Sequence, residues 1–123
     1  MHKIKFVLLA LMLGSSAGMA GDCNAPEAPS LPDGATASME DMLAGQKAVK
    51  EFQAANLEYM GCVEKEISAA EEAALKASED EKEAAQAAHQ KAMDTYNSAV
   101  SKEEEVAGQF NTEIREYKAA NPG

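Results

Sequence analysis

The chain has 123 residues, with 21 acidic and 11 basic side chains and a formal net charge of −10. This balance excludes most proteins that bind nucleic acids or anionic membranes, because such surfaces need clustered Lys and Arg. There is no Trp, and much of the hydrophobic content is Ala, which favours helix but buries little area, so a thick globular core is not expected.

The N-terminus has the three-part layout of a secretory signal peptide. His2, Lys3 and Lys5 precede an apolar run over residues 6–13, and small residues follow as far as Ala20. The run is shorter than the roughly 20 residues that cross a bilayer. We therefore predict a signal peptide over residues 1–20 and a periplasmic or secreted mature protein. Losing Lys3 and Lys5 leaves 9 basic against 21 acidic residues, a net charge of −12.

The two cysteines, Cys23 and Cys62, predict a structural disulfide in an oxidising compartment. A redox-active pair is the alternative, but C-x-x-C spacing is missing. A lipid on Cys23 is a further alternative, which Asp22 disfavours because a lipobox has a small residue at that position.

An extended segment is predicted over residues 21–37. Pro26, Pro29 and Pro32 recur at every third position, which suits polyproline II. Residues 32–34 predict a turn, in which Gly34 would adopt a positive φ. From this turn the segment can reach back along the first helix to Cys62, because about 15 residues of polyproline II span roughly 46 Å.

A helical domain is predicted over residues 38–121, with Ser38 as its N-cap. Small or apolar residues then recur at helical spacing and predict one buried stripe. Its members are Met42, Gly45, Val49, Phe52, Asn56, Tyr59, Val63, Ile67, Ala70, Ala74 and Ala77. Gly61, inside this helix, predicts a close packing contact.

A second stripe follows a predicted turn near Ser78, where residues 78–81 match a capping box. Its members are Ala85, Ala88 or His89, Met93, Tyr96, Val100, Glu103, Ala107, Phe110, Ile114 and Tyr117. The prediction is an all-α, coiled-coil-like antiparallel hairpin of two helices, with the large side chains meeting at its open end. We expect Phe52 near Val106, Phe110 near Gln46 and Tyr117 near Met39. One unbroken helix of about 80 residues is the alternative.

No catalytic, cofactor or metal residues are predicted. His89 and Met93 have the spacing for a soft metal such as copper(I), but two ligands are too few for a dedicated site. The acidic runs at residues 71–72, 79–81 and 103–105 lack the spacing of a calcium loop and predict a solvated face. Neither a Ser-His-Asp or Cys-His set nor a phosphate-binding glycine loop is visible in the sequence.

One group of apolar residues is a candidate interaction surface. It could form a groove for a partner helix or an unfolded client, although a role in the hairpin core or a homodimer core is favoured. Two hairpins could pair as a four-helix bundle. The group consists of Phe52, Tyr59, Phe110, Ile114 and Tyr117.

The order of these features resembles a widespread set of small secreted bacterial proteins. The resemblance rests on Cys23 with Pro26 and Pro29, on residues 32–38, 42–49 and 59–62, and on Tyr96-Asn97, Phe110-Asn111, Arg115, Tyr117 and Lys118. It implies one secreted unit over nearly the whole mature chain, and it implies neither a mechanism nor any functional residues.

The leading hypothesis is a non-enzymatic periplasmic or secreted protein that acts by binding another protein or a second copy of itself. A periplasmic holdase that shields unfolded clients is the alternative. A metal-handling protein that uses His89 is the third and least supported class.

Overall fold

The computed structural model describes residues 23–123, so the predicted signal peptide lies outside the described part. Two helices account for most of it: α1 spans Met39–Lys76 and α2 spans Glu79–Ala120. At 1.5 Å per residue they are about 57 and 63 Å long. They pack antiparallel along one another, which confirms the all-α hairpin and excludes a single unbroken helix. No strand occurs between residues 23 and 123.

Each helix begins at a serine, but the two serines act differently. Ser38 accepts a hydrogen bond from the Asp41 backbone N–H at 3.0 Å, and Asp41 accepts one from the Ser38 N–H at 3.3 Å, which completes a capping box. The capping box predicted at residues 78–81 is wrong, because the Ser78 hydroxyl donates to the Glu81 carboxylate at 2.7 Å and caps no backbone N–H. The helix break comes from the extended backbone of Ala77 and Ser78, with ψ of 143° and 168°.

Residues 23–37, here called the strap, run back along α1. A disulfide joins Cys23 to Cys62 of α1, with 5.7 Å between the Cα atoms, and this confirms the predicted pair. At its other end the strap turns at Asp33, whose carbonyl oxygen accepts from the Thr36 and Ala37 N–H groups at 3.1 and 2.8 Å. The strap is thereby held at both ends of its course along α1.

Gly34 brings the strap against α2. Its N–H donates to Glu113 Oε1 at 2.8 Å, and a Cβ at this position would overlap the Glu113 backbone carbonyl and lie 2.9 Å from the Tyr117 nitrogen. The predicted positive φ is wrong, since Gly123 is the one residue of the described part with a positive φ. Glycine is needed here for close approach, not for backbone conformation.

Two glycines of α1 contrast with each other. A Cβ on Gly45 would lie 2.8 Å from Pro32 Cδ and 3.1 Å from Phe110 Cε1, so this glycine makes room for the strap and for α2. A Cβ on Gly61 would meet no atom within 4 Å. The close contact predicted at Gly61 is therefore wrong.

The core lies toward the open end of the hairpin, as the pairing of large side chains predicted. Its main cluster consists of Met42, Val49, Phe52, Val106 and Phe110. Four partly buried residues pack against this cluster: Leu31, Ala37, Ile114 and Tyr117. Farther along, Asn56 is 2% exposed and donates from Nδ2 to the Ala99 carbonyl at 3.0 Å. From residue 64 to residue 91, around the turn, no side chain is buried.

The buried stripe of α2 differs by one residue from the predicted stripe. The prediction placed Met93, Val100 and Ala107 in the core, whereas Ala92, Ala99 and Val106 are the buried residues. Ala92 and Ala99 let the helix backbones approach closely, and this places the larger neighbouring side chains at the edge of the interface. The predicted members Phe110, Ile114 and Tyr117 do lie in or against the core.

Candidate interaction surface

The residues of the predicted interaction surface occupy three environments. Phe52 and Phe110 are 4% and 7% exposed inside the core, so they are covered within the hairpin. Ile114 and Tyr117 are half-buried and pack against that core. Tyr59 is half-buried on α1. Substantial solvent-exposed surface among these residues is limited to Tyr59, Ile114 and Tyr117.

The strap covers one side of the hairpin. Leu31 and Pro32 line a groove there with Ala44 and Ala48 of α1. On the same side, strap residues line a second groove with Glu113 of α2. The strap therefore contacts both helices along one side of their seam.

The opposite side is uncovered by the strap and carries large apolar side chains. Residues two positions apart on an α-helix are separated by about 200° around the helix axis, so Gln46 and Ala48 point to opposite sides. Exposed fractions of the α1 side chains on the uncovered side are 58% for Met39, 56% for Leu43 and 62% for Leu57.

A groove of about 480 Å³ lies at the open end of this uncovered side. Met39, Leu43 and Gln46 of α1 line it together with Ile114 and Lys118 of α2. Because residues of both helices line this groove, it shows that the side of α2 with Ile114 and Lys118 lies beside the exposed side chains of α1.

Residues spaced by seven, or nearly two helical turns, extend this surface along both helices. We call it the open face. Its members are Met39, Leu43, Gln46, Lys50 and Leu57 of α1 and Met93, Val100, Ala107, Ile114 and Lys118 of α2.

The open face differs in charge from the rest of the molecule. Lys50 and Lys118 are its basic members, and the same spacing adds Glu104, 14 residues before Lys118, with Glu64 one step beyond Leu57. The face is therefore mainly apolar and close to neutral on a chain that has 21 acidic and 11 basic side chains.

Sequence reasoning missed the α1 half of this surface. Leu43 and Leu57 are 14 residues apart, four turns of one helix face, but the stripe of Met42, Val49 and Asn56 beside them accounted for the same periodicity. A second apolar arc was thus visible in the sequence, next to the first one.

Three carboxylates meet on the strap side, from Asp33, Glu113 and Glu116, each offering an oxygen within 4.8 Å of the others. A hydrogen bond with Glu113, followed by the negative charges of Glu113 and Asp33, raises the pKa of Glu116 above its usual value. Glu113 also accepts the Gly34 N–H. Glu113 thus helps to fix the strap on α2, whereas the repulsion among the three carboxylates opposes it.

The disulfide has an acidic neighbour. A Glu66 oxygen lies within 4.8 Å of the sulfur atoms of Cys23 and Cys62, and Glu66 Oε1 is buried without a hydrogen-bond partner. Because both sulfur atoms are bonded to each other, neither is a thiolate ligand for a metal, and Cys23 has no free thiol for a lipid.

His89 and Met93 follow each other by one turn of α2, where His89 is half-buried and Met93 is 39% exposed. In the described residues, groups of three His, Cys, Asp or Glu side chains close enough for a metal ion occur at the disulfide and at the Asp33 cluster. Neither group includes His89.

No protein-family model, curated protein or solved structure matches this chain significantly. Within residues 23–123, neither helix is long and apolar enough to cross a membrane.

Proposed function

We propose that this chain is an exported, non-enzymatic helical protein that acts by binding another protein molecule as an accessory or structural factor. The observation that carries the proposal is the open face, where Leu43 is 56% exposed beside the half-buried Ile114 and Leu57, 14 residues farther along α1, is 62% exposed. Apolar patches that are contiguous rather than scattered typically mark interaction sites.

An oxidising compartment, periplasmic or extracellular, is part of the proposal. The Cys23–Cys62 disulfide supports it, because such bonds form and persist mainly outside the cytoplasm. The predicted signal peptide and the resemblance to small secreted bacterial proteins agree with it.

The test is photocrosslinking in cells from single positions of the tagged protein. A photoreactive residue at Leu43 should give a specific adduct, whereas one at Ala55, an exposed position about 120° around α1 from Leu43, should not. Adducts identified by mass spectrometry then give the partner. Equal or absent crosslinking at both positions would argue against binding through the open face.

A holdase is the second candidate, because exposed Leu and Met side chains can also hold unfolded clients. It predicts many unrelated adducts at Leu43 and suppression of heat-induced aggregation of a model enzyme. A single dominant adduct with no effect on aggregation would reject the holdase.

A further inference from the structure

The apolar pattern of α2 is incompletely used by the hairpin. Met93, Val100, Ala107 and Ile114 form a seven-residue repeat, yet the core of the hairpin is built from Ala92, Ala99 and Val106, one position earlier. The repeat lies at the boundary between the core and the open face. A helix whose apolar arc is wider than its contact with one neighbour is suited to contact a further helix.

The strap covers one side of the seam between α1 and α2, so a further helix can pack only on the other side. Pro32 and Gly34 fill the seam on the strap side, and the disulfide holds the strap there. The open face is thus the broad apolar surface on which both α1 and α2 are accessible together.

The charge of the open face indicates which molecule binds there. Two copies of the mature chain, each with a net charge of −12, repel one another on most approaches. The open face is close to neutral, with Lys50 and Lys118 balanced by Glu104 and by Glu64 at its end, so two copies can meet there with less repulsion than on the acidic remainder of the surface. An apolar surface is also complementary to itself, which an isologous dimer requires.

The available area is sufficient for a dimer of moderate strength. From residue 39 to residue 61 α1 advances about 33 Å, and two packed helices present a width of about 18 Å. The product is about 600 Å² per copy and about 1,200 Å² in total, which is the lower end for specific interfaces.

We propose that a second copy of the chain packs on the open face and completes a four-helix bundle. Leu43 and Leu57 of each copy are then covered by the α1 and α2 residues of the other. The inference rests on the proposed function, because it names the partner of the same surface.

The test is sedimentation velocity of the oxidised mature protein from about 1 to 200 µM, a range that brackets micromolar dissociation constants. We expect a concentration-dependent monomer–dimer equilibrium. Raising the salt from about 50 to 500 mM should strengthen the dimer, because screening weakens repulsion between acidic chains.

The variant Leu43→Glu with Leu57→Glu should be monomeric over the whole range, because it places four carboxylates in one apolar interface. The control is Leu75→Glu, one substitution of the same kind on the same helix, at an 81% exposed position about 27 Å beyond Leu57 and outside the proposed interface. It should dimerise like the original chain. Circular dichroism of both variants should show an unchanged helix content, since the replaced side chains are exposed.

A chain that stays monomeric at the highest concentration would overturn the proposal, and so would a double variant that still dimerises. If the chain is monomeric while Leu43 crosslinks to a foreign protein in cells, this inference fails and the proposed function stands. If the chain is monomeric and Leu43 gives no adduct, both fail.

Discussion

Removal of the disulfide gives the sharpest quantitative test of the strap. Replacing Cys23 and Cys62 by Ser opens a covalent loop whose ends are 39 residues apart in sequence. The chain-entropy model for a loop of that length gives a loss of about 4 kcal/mol in the free energy of unfolding. For a domain of this size the melting temperature should fall by about 16–30 °C.

The assay is urea unfolding followed by circular dichroism at 222 nm, at one low protein concentration, because dimerisation would itself add stability. The original protein with reductant should match the Ser variant, and reductant should leave the variant unchanged. A loss below about 1 kcal/mol would refute the reasoning, since it would mean that the disulfide does not restrict the unfolded chain as the loop model requires.

Three further results are expected. Gly61→Ala should raise the free energy of unfolding by about 1 kcal/mol, because Ala is the better helix former and its Cβ meets open space; a lowered melting temperature would contradict this. Gly34→Ala should lift the strap from α2, because the added Cβ overlaps the Glu113 carbonyl, and hydrogen exchange should accelerate at residues 31–37 while α1 stays protected; equal protection would contradict it. The pKa of Glu116 is raised on folding, so this carboxyl favours the folded state at low pH and the contribution is lost as the pH rises through the folded value. Carboxyl NMR titration should place its midpoint above 4.5 and bring it down in Glu113→Gln; an unmoved midpoint would show that Glu113 is not the cause.

The helices, the disulfide and the open-end core could be read from the sequence because each has a local signal. Ser38 with Asp41 marks a helix start, and the stripe through Met42, Val49 and Phe52 gives the buried side of α1. Only one pairing was available to Cys23. These signals depend on residue type and spacing, both of which the sequence contains.

The residues of α2 that face α1 could not be predicted in the same way. Periodicity shows where an apolar arc lies, but Ala99 and Val100 are both apolar, and which of them faces α1 depends on how closely the backbones pack. Close packing favours Ala99 in the seam and leaves Val100 at its edge.

The glycines show a second limit of local reasoning. Gly34 lies in the predicted turn, but it is needed there for contact with α2 and not for a positive φ, whereas Gly61 looked like a contact glycine and faces open space. Both readings are chemically sound for glycine, and the deciding neighbours of Gly34 are Glu113 and Tyr117, about 80 positions away. A single sequence contains no record of such distant neighbours.

The contact between Gly34 and Glu113 also constrains the order in which the molecule is assembled. It joins residues 79 positions apart, whereas Cys23 and Cys62 are both present before any of α2 has been synthesised. After export, the covalent loop can therefore close on α1 alone, whereas the Gly34 contact needs the last turns of α2. A truncation before Glu113 would leave an oxidised strap that still packs on α1 at Gly45 but has lost its hydrogen bond to α2.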